Sequence, residues 1–410
     1  MNCDPRTLRI EDFDYHLPDE RISRYALPRR DESRLLVFDG EKITDRYFRD
    51  LPSLLTKQEH VLVSNNTRVI PARIHFAKST GGIVEIFCLE PNGQSHQDAM
   101  MSRGSAQWKC LIGGAKKWKG DQPLSLSLSI QGASLELTAS IEVKLHDTYL
   151  INFNWPEQYT FSAILDTAGK LPLPPYLNRE AEAQDYLRYQ TIFAKHQGSV
   201  AAPTAALHFT DEVIQKLNAQ GIAMHQLTLH VGAGTFKPVS AKEMGNHYMH
   251  EETFSIGIKI LRALHAACDK QIVAVGTTSM RTLESLYWLA IQLKGGASDK
   301  STMHVSQWAP YHADANLTWQ QALALLIEKC ESEKLECLNA STAILIAPGY
   351  QFKACGGLVT NFHMPKSTLL LLVAAFTGEA NWKGLYHHAM EHQYRFLSYG
   401  DSSLLLPNRT

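Results

Sequence analysis

The sequence has little cysteine and no long hydrophobic run. Its seven cysteines are scattered and include no CxxC pair, so reduced thiols are expected rather than a disulfide framework. The longest apolar run, Leu369 to Phe376, is far too short to span a bilayer. The first residues also lack the apolar segment of a signal peptide. We therefore expect a soluble cytoplasmic protein that does not contact membranes.

The sequence also has almost no net charge, because 40 Lys and Arg residues balance 41 Asp and Glu residues. A protein without a global positive field can bind nucleic acid only through a local basic patch. A candidate patch is the segment from Asp12 to Leu36, which carries Arg21, Arg24, Arg29, Arg30 and Arg34. Such a cluster is either a solvated face or a set of phosphate contacts.

Residues 67–154 differ in pattern from the rest of the chain. They form short β-rich runs separated by Gly, Asn, Asp and Ser, and several runs alternate as half-buried strands do. No helical period of useful length appears there, which predicts a small antiparallel barrel or sandwich. Strands alternate with helices on both sides of this region. We therefore predict a layered α/β main domain from residues 1–66 and 155–410, with an inserted small antiparallel β-barrel domain at 67–154.

The stretch from 198 to 236 brings polar residues to strand ends and turns. Its middle, Asp211 to Ala219, has helical apolar spacing, with Thr210 as the predicted N-cap. The next strand ends at Gly232 and Gly234, where glycine would let the backbone approach a substrate closely. Polar side chains nearby in the sequence are Thr204, His208, His230 and Thr235. The GxG pattern alone is weak evidence, because glycines end strands in many α/β proteins.

A buried strand followed by GTTSMRT predicts an anion site. The turn places Thr277, Thr278 and Ser279 beside the amides of a helix N-terminus, with Arg281 close behind. This arrangement suits a carboxylate or a phosphate. Strand–turn–helix units are also common without any ligand, so the pattern leaves both interpretations open.

Two further polar clusters lie in the second half of the chain. The turn TNFHMPKST places Asn361 and His363 at a strand end. His247, His250 and Glu252 form an HxxHxE pattern that could contribute to a metal site. Zinc sites normally need a third or fourth ligand at recognisable spacing, so a histidine pair without metal is the favoured interpretation.

A dozen motifs in order give the chain a resemblance to a known family. They resemble the tRNA ribosyltransferase-isomerase family of queuosine biosynthesis and extend from Asp12 to Leu406. In chain order the motifs are DFDYHLP, SRLLVFD, LVSNNTRVIPAR, GGIVEIF, LPLPPY, GSVAAPTAALHFT, TLHVGAGTFKPV, HYMHEE, VAVGTTSMRTLES, PGYQF, GLVTNFHMPKSTLLLLVAAF and SYGDSSLLL. Two features depart from the family pattern: Ala206 replaces a usual glycine, and the segment 294–341 is longer than the family norm.

The resemblance implies that S-adenosylmethionine is a co-substrate that donates its ribosyl group, not its methyl group. The acceptor would be 7-aminomethyl-7-deazaguanine at the wobble position of a tRNA. The products would be epoxyqueuosine in tRNA, adenine and methionine. The implied architecture, an α/β domain with an inserted β-barrel, agrees with the strand and helix pattern. On this basis we assign Arg21, Arg24, Arg29 and Arg30 to tRNA binding and expect a monomer.

The substrate's chemistry indicates which residue types are needed. The sulfonium makes the adjacent 5′ carbon of the ribose acidic, so a base with a pKa near neutrality could remove its proton and start the expulsion of adenine. Histidine meets this need, and we rank His250 with Glu252 first and His208 or His230 second. The predicted substrate-binding residues are Thr204, Gly232, Gly234, Thr277, Ser279, Arg281, Asn361 and His363. No redox cofactor or metal is expected, because the sulfonium supplies the electrophilic activation.

Two other functions stay open from the sequence. An S-adenosylmethionine-dependent RNA methyltransferase would share the co-substrate, although the chain lacks a convincing early glycine-rich loop followed by an acidic strand end. A non-catalytic RNA-binding protein could use the predicted barrel and the arginine-rich segment. The polar clusters at several strand ends argue against that second alternative.

Overall fold

The chain folds around two large β-sheets. The computed structural model describes residues 4–78, 81–118, 122–232, 234, 239–296, 303–312 and 314–407. Its strands are β1 Arg34–Phe38, β2 Ile43–Tyr47, β3 His60–Asn65, β4 Thr67–Val69, β5 Arg73–Ala77, β6 Ile83–Pro91, β7 Ser105–Gly113, β8 Leu124–Ile130, β9 Ala133–Lys144, β10 Tyr149–Asn154, β11 Gly169–Lys170, β12 His196–Ser199, β13 Ala223–Leu229, β14 Glu252–Gly257, β15 Gln271–Val275, β16 His304–Val305, β17 Cys337–Thr342, β18 Cys355–Asn361 and β19 Ser402–Leu405. Its α-helices are α1 His96–Met101, α2 Phe161–Ala168, α3 Asp185–Arg188, α4 Asp211–Ala219, α5 Ile258–Ala266, α6 Thr277–Lys294, α7 Trp319–Ser332, α8 Thr368–Thr377 and α9 Glu379–Glu391. The architecture is mixed α/β, as predicted.

The larger sheet has ten strands in the order β16-β17-β14-β13-β3-β15-β18-β19-β1-β2. Its centre is parallel, since β13, β15 and β3 run in the same direction and β18 runs parallel to β15. Every residue of β3 and β18 is buried, as expected for central strands of a sheet that is covered on both faces. The carboxyl ends of these four strands bring Asn65, His230, Gly276 and Asn361 to one edge of the sheet. Ligands bind at this kind of edge in open parallel sheets.

The smaller sheet is antiparallel, with seven strands in the order β11-β5-β6-β7-β10-β9-β8. It curls, because β8 at one end contacts β5 near the other. It has its own apolar core, in which Trp108 and Phe153 are fully buried. Phe161 and Ile164 of α2 belong to the same core, and β11 pairs with β5. The packing of this sheet therefore extends past residue 154, and the domain boundaries stay a prediction.

A short parallel pair, β4 with β12, joins the two sheets. Helix α1 leaves the smaller sheet and contacts β12. Gly198 in β12 has φ +140, and a Cβ there would lie 2.8 Å from the Cβ of His96 and 2.9 Å from Nδ1 of His230. Only glycine lets these two histidines, one from each side, approach the same strand.

Long helices cover the faces of the larger sheet. Helix α6 is buried from Thr277 to Ala290, and α7 packs against both α6 and α5. The predicted cap of α4 is confirmed, because the Thr210 hydroxyl accepts a hydrogen bond from the amide of Val213 at 3.3 Å. Thr318 caps α7 in the same way, with the amide of Gln321 donating to its hydroxyl at 3.1 Å. Within the described ranges, no helix is both long and apolar enough to cross a membrane.

Candidate functional site

A pocket opens at the carboxyl edge of the parallel strands. Its walls come from residues 201–205, from the start of α6, from the turn after β18 and from Leu397 and Ser398. Four of the predicted substrate-binding residues line it together, namely Thr204, Thr277, Asn361 and His363. The sheet topology explains part of this meeting, since Thr277 follows β15, Asn361 ends β18 and His363 follows it, at one edge of the larger sheet. Thr204 reaches the pocket from the segment after β12, which lies outside that sheet.

The N-terminus of α6 points its amides at this pocket. Gly276 precedes the helix with φ +91, a conformation that L side chains rarely adopt. Its own amide donates to the carbonyl of Val359 at 2.8 Å, which ties the turn to β18. Gly276 provides no side-chain cap, so the first helical amides have no partner within the helix. This helix start can therefore receive an anion.

Among the described residues, two buried side-chain atoms of pocket-lining residues have no hydrogen-bond partner. They are Oγ1 of Thr278 and Oδ1 of Asn361. The amide nitrogen of Asn361 approaches the carbonyl of Leu397 at 3.2 Å and Nε2 of His208 at 3.0 Å. Thr278 stands in the GTTSMRT motif, so its sequence position could have suggested a contact role. The unpaired oxygens depend on tertiary packing and have no signal in the sequence.

Ser279 and Arg281 lie away from the pocket. Ser279 is fully buried, and its hydroxyl donates to the carbonyl of Val275 at 2.8 Å. Arg281 forms a buried ion pair with Glu252 and donates from Nε to the carbonyl of Ile344 at 3.3 Å. The helical turn thus directs these two predicted ligands into the protein rather than toward the pocket.

Glu252 is held by two partners. One of its oxygens accepts from Arg281, and the other accepts from the amide of Gly232 at 3.2 Å. His250 is exposed and packs close to Gly234, where a Cβ would lie 2.2 Å from Cδ2 of the histidine. The two glycines therefore lie beside the first-ranked catalytic pair. Thr235, also predicted here, falls outside the described residues.

The second-ranked histidines are both buried, and burial lowers their pKa values. The pKa of His208 falls to about 4, while that of His230 falls well below its ordinary value. His230 stacks on His96 with ring centroids 4.1 Å apart. Burial also lowers the pKa of His96 to about 4 and that of the pocket residue His363 to about 3. All four imidazoles are therefore neutral at physiological pH.

Sequence reasoning missed His96, which lies 134 positions before its stacking partner His230. His96 begins α1, between two strands of the smaller sheet, whereas His230 follows β13 of the larger sheet. Sequence reasoning also missed a surface cluster in which Asp45, His388 and His392 place potential metal-ligand atoms within 4.8 Å of one another. Asp45 already accepts a hydrogen bond from Tyr394, and Arg34 lies 3.5 Å away. The cluster is therefore a satisfied network of hydrogen bonds and ion pairs.

The four arginines assigned to tRNA have unequal surroundings. Arg30 donates to the carbonyls of Gln190 at 2.7 Å and Leu187 at 2.9 Å, which anchors it to the protein. Arg29 is exposed, with Asp31 at 3.6 Å. Arg24 pairs with Asp19 at 2.7 Å on the surface, and Arg21 makes a long contact of 3.5 Å to the carbonyl of Met390.

Comparison with known proteins shows which family this chain belongs to. A crystal structure of S-adenosylmethionine tRNA ribosyltransferase from Thermotoga maritima is 27% identical, covers 96% of this chain and 100% of that chain, and has a TM-score of 0.46. A relative from Pelobacter propionicus, named S-adenosylmethionine:tRNA ribosyltransferase-isomerase, is 39% identical over 97% of this chain and 99% of its own. A relative of the same name from Aromatoleum aromaticum is 36% identical over 97% of this chain and 98% of its own. The family model described as queuosine biosynthesis protein matches residues 10–405, and the chain belongs to this family.

Proposed function

We propose that this chain is an S-adenosylmethionine:tRNA ribosyltransferase-isomerase. The observation that carries the proposal is the match to relatives of that name over nearly the whole length of both chains, at 39% and 36% identity. In the proposed reaction S-adenosylmethionine gives its ribosyl group to 7-aminomethyl-7-deazaguanine at the tRNA wobble position. Epoxyqueuosine in tRNA, adenine and methionine are the products.

The pocket at the start of α6 is the proposed S-adenosylmethionine site. Its support is the convergence of Thr204, Thr277, Asn361 and His363 on one cavity. Apolar side chains, among them Val231, Phe362 and Leu397, complete the wall. Such a wall would exclude water around the sulfonium and the reacting ribose, which strengthens electrostatic contacts within the site.

His250 is our first candidate for the base that removes the proton from the ribose. Burial lowers the pKa values of His208 and His230 far below neutrality, and a weak base is poorly matched to a reaction near pH 7. Glu252 has both oxygens engaged, by Arg281 and by the amide of Gly232. We therefore assign Glu252 a positioning role beside His250, and His208 and His230 remain the second candidates.

The tRNA contacts are proposed at Arg24 and Arg29, which are exposed, and at Arg21, which is half-buried. Arg30 is bound to backbone carbonyls, so we propose that it shapes this surface rather than contacting phosphate. We also propose that the smaller sheet, at 67–154, is a separate inserted domain. We further propose that the protein acts in the cytoplasm, where its tRNA substrate is found, and that it acts as a monomer.

Product identification tests the proposed function. The protein is mixed with S-adenosylmethionine and tRNA carrying 7-aminomethyl-7-deazaguanine, and the small products are separated. Release of adenine and methionine in equal amounts is the expected result. S-adenosylhomocysteine would indicate methyl transfer instead, and tRNA binding without either product would indicate an RNA-binding protein.

A further inference from the structure

The unpaired polar atoms of the pocket indicate which part of its ligand lies there. Asn361 and Thr278 line the cavity, and Oδ1 of Asn361 and Oγ1 of Thr278 are buried and lack a partner among the described residues. The two residues are 3% and 7% exposed. Buried polar groups in folded proteins are almost always paired, so two such atoms at one cavity point to polar groups of a ligand.

The orientation of the Asn361 amide is set by its surroundings. Its nitrogen lies 3.2 Å from the carbonyl of Leu397 and 3.3 Å from the carbonyl of Asp401. Both neighbours are acceptors, so the nitrogen must face them, which leaves the oxygen as the free acceptor of this pocket residue. The ligand group opposite this oxygen is therefore a hydrogen-bond donor.

The N-terminus of α6 requires the opposite chemistry. This helix has 18 residues and starts at Gly276 without a side-chain cap. Its first amides and its dipole favour a negative group. The Thr278 hydroxyl can donate a further hydrogen bond at the same place. Arg281 is not among the residues that line this pocket, and it pairs with Glu252 inside the protein.

An α-amino acid carries both groups that this pocket calls for. Its α-ammonium is a donor for Asn361, and its carboxylate is an anion for the N-terminus of α6. We propose that the pocket binds the methionine end of S-adenosylmethionine, with the carboxylate on the α6 amides and the Thr278 hydroxyl, and the α-ammonium on Oδ1 of Asn361. The inference rests on the proposed function.

Binding measurements on the whole protein test this placement without requiring turnover. The probes are S-adenosylmethionine, its decarboxylated analogue and its analogue without the α-amino group. The wild-type protein should bind each truncated analogue about tenfold more weakly than S-adenosylmethionine, as expected for one charge-assisted contact. Thr278→Val should weaken S-adenosylmethionine binding and leave binding of the decarboxylated analogue unchanged.

The neighbouring Ser279→Ala is the matched control. Its hydroxyl is bonded to Val275, so the preference for the carboxylate should persist in this variant. Asn361→Ala removes the acceptor opposite the ammonium, so it should abolish the preference for the α-amino group while the preference for the carboxylate persists. Equal binding of all three probes to the wild type, or equal weakening of S-adenosylmethionine and its decarboxylated analogue by Thr278→Val, would overturn the placement.

These outcomes are separable from those of the proposed function. If the wild-type protein releases adenine but does not discriminate against the decarboxylated analogue, the transferase stands and the placement is wrong. If the protein binds none of the probes, the proposed co-substrate is wrong and the placement is lost with it.

Discussion

Arg281 and Glu252 form a buried ion pair that joins α6 to β14. Their side chains are 9% and 5% exposed, and the amide of Gly232 donates to the second oxygen of Glu252 at 3.2 Å. The pair therefore also holds the loop after β13 against the larger sheet. Two charges that the sequence assigns to separate roles, carboxylate binding and proton removal, instead neutralise each other.

Removing one partner of this pair should destabilise the fold. Arg281→Met or Glu252→Gln leaves a buried charge or donor without its partner, at a cost of about 3 kcal/mol in the free energy of unfolding. The double variant should recover part of that loss, because no charge is stranded. Arg262→Met is the control, since its pair with Glu331 is exposed and is worth less than about 1 kcal/mol. Urea unfolding measures all four; equal stability of the two buried single variants and wild type would contradict the account.

His250 should affect turnover without affecting stability. Because the side chain is exposed, His250→Ala should leave the unfolding midpoint unchanged and retain S-adenosylmethionine binding. Loss of the base should lower kcat by about a hundredfold or more. Adenine release under saturating substrates measures the effect. A near wild-type rate would exclude His250 as the base and move the test to His208 and His230.

The fold should lose stability in mild acid through its buried histidines. The pKa of His96 is lowered to about 4 from an ordinary value of 6.5, so the unfolded chain takes up the proton first as the pH falls. Stability is then unaffected above pH 6.5 and declines between pH 6.5 and 4, by about 3 kcal/mol at most for this one group. His96→Phe keeps a ring against His230. It should reduce the slope of the unfolding free energy against pH by the amount that corresponds to about one proton. An unchanged slope in chemical unfolding across this pH range would show that His96 does not titrate with folding.

The sequence predicts what is local. The helix at 211–219 and its cap at Thr210 follow from apolar spacing and short-range hydrogen bonds, and both are present. The meeting of Thr277 and Asn361 also follows, because parallel strands share a carboxyl edge. Ser279 and Arg281, which were also predicted to bind substrate, lie outside this pocket for a geometric reason. Successive helical residues turn about 100°, so Ser279 faces the sheet, and Arg281 lies one turn deeper than Thr277.

Contacts between segments that are far apart in the chain could not be predicted from the sequence. The Arg281–Glu252 pair and the stack of His96 on His230 each depend on how separate strands and helices pack. No periodicity or motif spacing encodes such distances. Strand β11 is a similar case, because a two-residue pairing with β5 adds a strand to the smaller sheet beyond its β-rich sequence.

Arg29 and Arg30 should respond differently to substitution. Arg29→Glu should weaken tRNA binding and reduce its dependence on salt, because one phosphate contact is lost. S-adenosylmethionine binding should not change. Arg30→Ala should instead lower thermal stability, since its guanidinium holds the carbonyls of Gln190 and Leu187. Unaltered tRNA affinity and salt dependence in Arg29→Glu would remove this residue from the tRNA surface.

The fate of isotopic label from S-adenosylmethionine tests the central claim most directly. Two preparations of the co-substrate are used, one labelled in the ribose and one in the methyl group, with tRNA carrying 7-aminomethyl-7-deazaguanine. After digestion of the tRNA, the wobble nucleoside is analysed by mass spectrometry. We predict that ribose label enters this nucleoside and that methyl label leaves with methionine. Methyl label in the tRNA, with no ribose label, would contradict ribosyl transfer.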